Sequence, residues 1–202
     1  MSLKLHHLNA SRSQRLVWLM EELNIEYEVV HYQRDAETHL APAELLNIHP
    51  MGKSPLLEHD AEIIAETGAI AEYLLAKFDT DHKLHPSADS PNFARYIEWV
   101  HAAEGAPFLP FLFAVYTNGY GHQGGPLDQK METERVKAGK FIEAHLSQNE
   151  YFAGDAFTAA DCLMGFNVAA ALGTGKLGPA SAKWLEKVSQ RQAYKNMIDV
   201  GI

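Results

Sequence analysis

Gly52-Lys53-Ser54-Pro55-Leu56-Leu57 is the stretch on which the reading of the fold turns. A proline costs no ladder hydrogen bond at the start of an edge strand, so Pro55 is compatible with a strand over the apolar residues that follow. With a cis Ser54–Pro55 bond the chain would turn sharply and Ser54 would present its N–H and C=O outward. Such a pair can take an extended peptide as an added strand. Taken by itself the segment reads as an ordinary trans turn, because cis is the minority form of X–Pro bonds. The surrounding chain is what changes that reading.

Upstream, residues 3–8 (Leu-Lys-Leu-His-His-Leu) read as a strand, and Leu16, Val17, Met20 and Leu23 recur at helical spacing. Asn24 suits a left-handed helix cap, and residues 25–31 alternate as a strand does. A short helical stretch is expected over 41–47. Downstream, Leu56-Leu57-Glu58 and Glu62-Ile63-Ile64 flank Asp60 as a hairpin, and a helix is expected from Glu66 to Phe78. The first half is therefore βαβ, helix, ββα. Residues 79–91 read as a linker. Beyond it the pattern is helical throughout, with one long helix over 92–117 bent near Gly105–Pro110. A second follows over 127–148, and shorter ones near 159–172, 179–189 and 191–198. The expected organisation is 1–79, a linker 80–91, and an all-α half 92–202.

Composition bounds the function. Of 202 residues, 47% are hydrophobic and 21% charged, values that suit a packed globular protein. The net charge is −9. Residues 1–80 carry six Lys/Arg against thirteen Asp/Glu, leaving −7, and no basic patch suited to nucleic acid is present. No apolar run approaches the roughly 20 residues that span a bilayer, and the N-terminus lacks a signal-peptide core, so a cytoplasmic protein is expected. Cys162 is the single cysteine, which excludes an intramolecular disulfide and a dithiol redox motif. The histidines show no ligand pattern, and no metal is expected.

Three further segments carry information. Ser11-Arg12-Ser13 lies between the first strand and first helix, where a hydroxyl either caps the helix or donates to a thiolate with help from the helix dipole. Glu66-Thr67 opens the third helix, a place for a cap or for a bound carboxylate. Thr158-Ala159-Ala160-Asp161 matches a capping box, with Phe157 and Cys162 placed as a hydrophobic staple. Its role is read as structural, and losing Asp161 is expected to cost about 1 kcal/mol as a lost cap.

In this order and across residues 3–198, these segments resemble the soluble glutathione transferases, serine-type. The strings His6-His7-Leu8-Asn9-Ala10-Ser11-Arg12-Ser13-Gln14-Arg15, Trp18-Leu19-Met20-Glu21-Glu22-Leu23-Asn24 and His49-Pro50-Met51-Gly52-Lys53-Ser54-Pro55-Leu56-Leu57 look most like a microbial branch of that family. The resemblance implies a thioredoxin-like N-terminal α/β domain followed by an all-α helical domain. It implies glutathione as co-substrate, with a cis Pro55 and the Ser54 backbone pairing with the cysteinyl part. Glu66 and Thr67 would hold the γ-glutamyl end. Lys53 and His39 would face the glycyl carboxylate, and Glu104, on the long helix, would reach a partner subunit's glutathione. A homodimer is implied.

The chain departs from the family at the chemical position. Many serine-type members place the thiolate-stabilising hydroxyl fourteen residues before a glycine that follows the first helix, and some place it one residue later. Asn24 stands at that glycine, and counting back fourteen gives Ala10 and thirteen gives Ser11. Ser11 is the candidate, with Ser13 and Arg12 as alternatives. No cysteine lies in the turn, which argues against mixed-disulfide chemistry. The electrophile, a small hydrophobic molecule or a hydroperoxide, would meet Phe108, Phe111, Tyr116 or Phe166, each of which also reads as core. The alternative to an enzyme is a non-catalytic module that binds glutathione or a protein.

Overall fold

The computed structural model describes residues 2–201. It divides into two compact units. One runs to Leu84 and resumes at Ser189; the other is His85–Val188.

The first unit is built on four strands: β1 (Leu3–Leu8), β2 (Glu28–Tyr32), β3 (Leu56–His59) and β4 (Glu62–Ala65), in the order β2-β1-β3-β4. β1 pairs parallel with β2, with Leu5 opposite Val29. It pairs antiparallel with β3, with Leu5 opposite Leu57, and β3 pairs antiparallel with β4. The parallel pair needs a crossover, which α1 (Ser13–Glu22) supplies. α2 (Thr67–Phe78) follows β4, and a short 3-10 helix occupies Ala43–Asn47. Leu5, Leu16, Val17, Leu57, Ile70 and Leu74 are fully buried and form the core that α1 and α2 share with the sheet.

The helical period at 191–198 is α8 (Gln192–Val200), and it belongs to this first unit, not to the helical half in which the sequence placed it. The reason lies on α1. Trp18 meets Tyr194 edge-on with ring centroids 4.9 Å apart. Glu22 accepts two hydrogen bonds from the Arg191 guanidinium at 2.6 and 2.7 Å, and Glu21 accepts one from Asn196 at 2.6 Å.

The second unit consists of α3 (Phe93–Ala102), α4 (Leu109–Gly119), α5 (Pro126–Leu146), α6 (Ala159–Gly173) and α7 (Pro179–Val188). The single bent helix expected over 92–117 is two helices. Pro107 and Pro110 lack an N–H and crowd the preceding turn, and a Cβ on Gly105 would lie 2.9 Å from the His101 carbonyl. The connector is held from α6, where Asn167 Nδ2 donates to the Ala103 carbonyl at 2.9 Å. Trp99 stacks on Phe141 and packs against His145 and Phe152. The Thr158–Asp161 capping box is present. Asp161 does more than cap. Its carboxylate also accepts from the Phe152 N–H at 3.0 Å and from Trp184 Nε1 at 3.1 Å, so one buried acid ties the α6 start to a loop and to α7.

Candidate functional site

Sheet register gathers the segments that the sequence singled out. Leu56 pairs with both His6 and Ala65. Ser54–Pro55 therefore sits at the same end of the sheet as the exit of β1 and the entry to α2. The Ser54–Pro55 bond is cis. Ser54 is buried, and its Oγ donates to the His6 carbonyl at 2.9 Å. The side chain is thus spent on β1. The Ser54 backbone N–H and C=O make no hydrogen bond among the described residues, so this strand-like pair is open to an added peptide.

Glu66 and Thr67 lie at the start of α2. Glu66 holds φ at +72°, the left-handed region that non-glycine residues seldom occupy. Among the described residues no side chain caps the helix by a hydrogen bond. Of the two roles open to this position, capping is therefore not the one observed, and the first-turn N–H groups are available to an anion. Thr67 is buried and Glu66 exposed.

The β1–α1 turn is dense with hydroxyls. Ser13 is completely buried. Its Oγ accepts from the Leu8 N–H at 3.3 Å and lies 2.9 Å from His7 Nδ1 and 2.7 Å from Ser11 Oγ. Ser11, 7% exposed, also accepts from the Ser13 N–H at 3.3 Å. Ser13 is committed to the turn on every side, whereas Ser11 is the outer member of the pair. Arg12 is half-buried beside them.

Arg34 completes the turn, a role its place among the few N-terminal cations did not signal. Its guanidinium donates to the carbonyls of Asn9, Ala10 and His39 at 3.2, 3.2 and 3.0 Å. Ala10 and His39 both hold a positive φ, at 45° and 56°. Arg34 thereby brings the loop bearing His39 beside the first turn. Lys53 is exposed and has no ion pair among the described residues.

The helical unit has its own candidate. A cavity of about 740 Å³ lies at the α4–α5 connection, lined among others by Phe113, Tyr116, Tyr120, His122 and Leu127. Of the four residues expected to face an electrophile, only Tyr116 lines it. Phe111 packs with Ala138 and Ala171 in the core, Phe108 is buried at the start of α4, and Phe166 is half-buried on α6. Glu104 lies in the α3–α4 connector, where a long helix was expected.

Known proteins share this fold. The crystal structure of a glutathione S-transferase from Actinobacillus pleuropneumoniae superposes with a TM-score of 0.88 at 27% identity, covering 98% of this chain and 91% of that one. Residues 1–76 match the glutathione S-transferase N-terminal domain family and residues 106–195 the C-terminal domain family. Glutathione S-transferase 3 of Schizosaccharomyces pombe is 34% identical over 95% of this chain and 84% of its own length. Glutathione S-transferase 1 of Saccharomyces cerevisiae is 34% identical over 95% and 92%. The chain belongs to the glutathione S-transferase family. As a glutathione transferase it carries the thioredoxin-like α/β unit and helical unit of that fold. No helix among the described residues is long and apolar enough to cross a membrane, and no group of three or more His, Cys, Asp or Glu among them gathers as a metal site.

Proposed function

We propose that this glutathione transferase binds glutathione along Ser54 and directs its thiolate at a small hydrophobic electrophile. The observation that carries the reading is the division of labour at Ser54: hydroxyl bonded inward to His6, backbone N–H and C=O left open. The cysteinyl part of glutathione pairs with that backbone. The γ-glutamyl carboxylate meets the uncapped start of α2 at Glu66 and Thr67, where free N–H groups and the helix dipole favour an anion. Lys53 and His39 face the glycyl carboxylate.

The thiol then lies toward the first turn. A free thiol has a pKa near ~8.5, so little is ionised at pH 7, and lowering it by two units takes about 2.7 kcal/mol in favour of the thiolate. A hydrogen bond to a charged acceptor supplies about 1.5–3 kcal/mol, and the α1 N-terminus about 0.3–1 kcal/mol. Ser11 is the donor, because Ser13 is enclosed. Arg12, next to it, adds positive charge. In conjugation the sulfur attacks an electrophilic carbon and the leaving group departs with its bonding pair. With a hydroperoxide the sulfur attacks the terminal oxygen and the alcohol leaves. A second glutathione then gives the disulfide and water.

Tyr116 and its neighbours in the α4–α5 cavity supply an apolar, partly aromatic wall of the kind that holds small hydrophobic ligands. The chain acts as a cytoplasmic homodimer, which sedimentation at twice the monomer mass would support and at the monomer mass would contradict.

The test is glutathione-dependent turnover of an aryl halide and of an organic hydroperoxide, with Ser11→Ala alongside. Turnover that falls sharply in Ser11→Ala supports the reading. No turnover despite retention on immobilised glutathione would replace it with a binding module. No retention would remove glutathione altogether.

A further inference from the structure

The hydrogen-bond directions in the first turn can be assigned from chemistry. His7 is buried on β1, and its Nε2 lies 3.0 Å from the Gly201 carbonyl just past α8. A carbonyl only accepts, so Nε2 carries a hydrogen. Burial opposes a charged ring, and the titratable group facing it is His31, paired opposite on β2 with ring centroids 5.6 Å away. Nδ1 is therefore a lone pair. Ser13 Oγ, 2.9 Å from it, must donate, and that is the nearer of its acceptors, the Leu8 carbonyl being 3.3 Å away. With its single hydrogen spent, Ser13 can only accept from Ser11 across their 2.7 Å contact.

We propose that His7 is a positioning residue for the thiolate donor: by taking the Ser13 hydroxyl hydrogen at Nδ1, it leaves Ser11 as the one first-turn serine with a hydrogen to give to bound glutathione. The inference rests on Ser11 being that donor. At rest the Ser11 hydrogen lies on Ser13 Oγ. When a thiolate arrives it swings outward, and Ser13 keeps the Leu8 N–H, so no buried oxygen is left without a donor. The Ser11 oxygen meanwhile still accepts from the Ser13 N–H, which strengthens it as a donor. Without an acceptor at His7 the Ser13 hydrogen is left with only the more distant Leu8 carbonyl at 3.3 Å, and it competes for the Ser11 oxygen and disorders the hydroxyl pair. Gly201, just past α8, thus acts on the chemistry through one ring tautomer.

The experiment is a double-mutant cycle read on the thiol pKa of enzyme-bound glutathione, followed by thiolate ultraviolet absorbance. Ser11→Ala is expected to raise that pKa by about one unit or more. His7→Phe in the wild-type background should raise it by about half a unit, with glutathione affinity unchanged within about threefold. In the Ser11→Ala background His7→Phe should have no further effect. His7→Asn, whose side-chain oxygen can replace Nδ1 as acceptor, should restore the wild-type value. If His7→Phe fails to fold, His7→Gln, which reaches toward Gly201 without serving Ser13, takes its place. A His7 effect of the same size with Ser11 absent, or no effect with Ser11 present, overturns the proposal. If Ser11→Ala itself leaves the pKa unchanged, it is the underlying assignment of Ser11 that falls.

Discussion

Ser54 Oγ donates to the His6 carbonyl at 2.9 Å, joining the start of β3 to β1 by a side chain where two backbones would ordinarily pair. The bond seats Ser54 against the sheet and leaves its own amide and carbonyl unused among the described residues.

Ser54→Ala should therefore separate stability from binding. The hydroxyl contributes about 1 kcal/mol as one buried hydrogen bond, so the unfolding free energy should fall by roughly that amount. Glutathione affinity, which depends on the backbone, should change by less than about tenfold. Denaturant titration and calorimetric binding measure the two.

Asp161 should prove more costly than an ordinary cap. Beyond the capping box it accepts from the Phe152 N–H and from Trp184 Nε1, and it is fully buried. Asp161→Ala strands several buried donors at about 1–3 kcal/mol each, so a loss above about 3 kcal/mol is expected in denaturant unfolding, against the 1 kcal/mol that a lost cap implies. Asp161→Asn retains one acceptor oxygen and should lose less.

Acid should destabilise the chain through its buried histidines. His6, His7 and His145 all sit below the ordinary histidine value of 6.5, with burial the largest cause in each. A group with a depressed folded pKa binds protons more readily when unfolded, so its stability contribution is complete above about pH 6.5 and is lost as the pH falls below it. Asp161 works the other way: burial raises it to about 6, so its penalty grows as the pH rises from 3.8 toward 6. The difference between variants isolates the sign. His7→Asn, with no proton to gain, should show a flatter fall in melting temperature below pH 6.5 than the parent.

Tyr116 is half exposed and lines the α4–α5 cavity. Tyr116→Ala should raise KM for an aryl halide several-fold while leaving KM for glutathione unchanged. Phe111→Ala, which opens the core beside Ala138 and Ala171, should instead lower stability by about 3–5 kcal/mol.

Much of this was legible in the sequence because it depends on local pattern. The βαβ-helix-ββα order follows from alternation and helical spacing, and the capping box from four adjacent residues. The cis Ser54–Pro55 bond was implied by the family resemblance that Ser11, Ser54–Pro55 and Glu66-Thr67 carry together, since the segment alone favours trans. What escaped was set by contacts between distant residues. α8 joins the first unit through Trp18, Glu21 and Glu22, which no local pattern near 191–198 announces. His7 in β1 reads as one more strand residue until Gly201, 194 positions away, fixes its ring. Arg34 gains its role only when three carbonyls meet it. Of the two serines of the first turn, the sequence favoured Ser11 only through its count back from Asn24; the structure separates them by burial, with Ser13 sealed and Ser11 at the edge.

Whether Ser11 stabilises the glutathione thiolate is read from an ultraviolet titration of glutathione bound to the parent and to Ser11→Ala. The bound thiol is expected well below the ~8.5 of a free thiol in the parent, and back toward that value in Ser11→Ala with glutathione still bound. A bound thiol that titrates as it does free in solution, or one that stays low without Ser11, would contradict it.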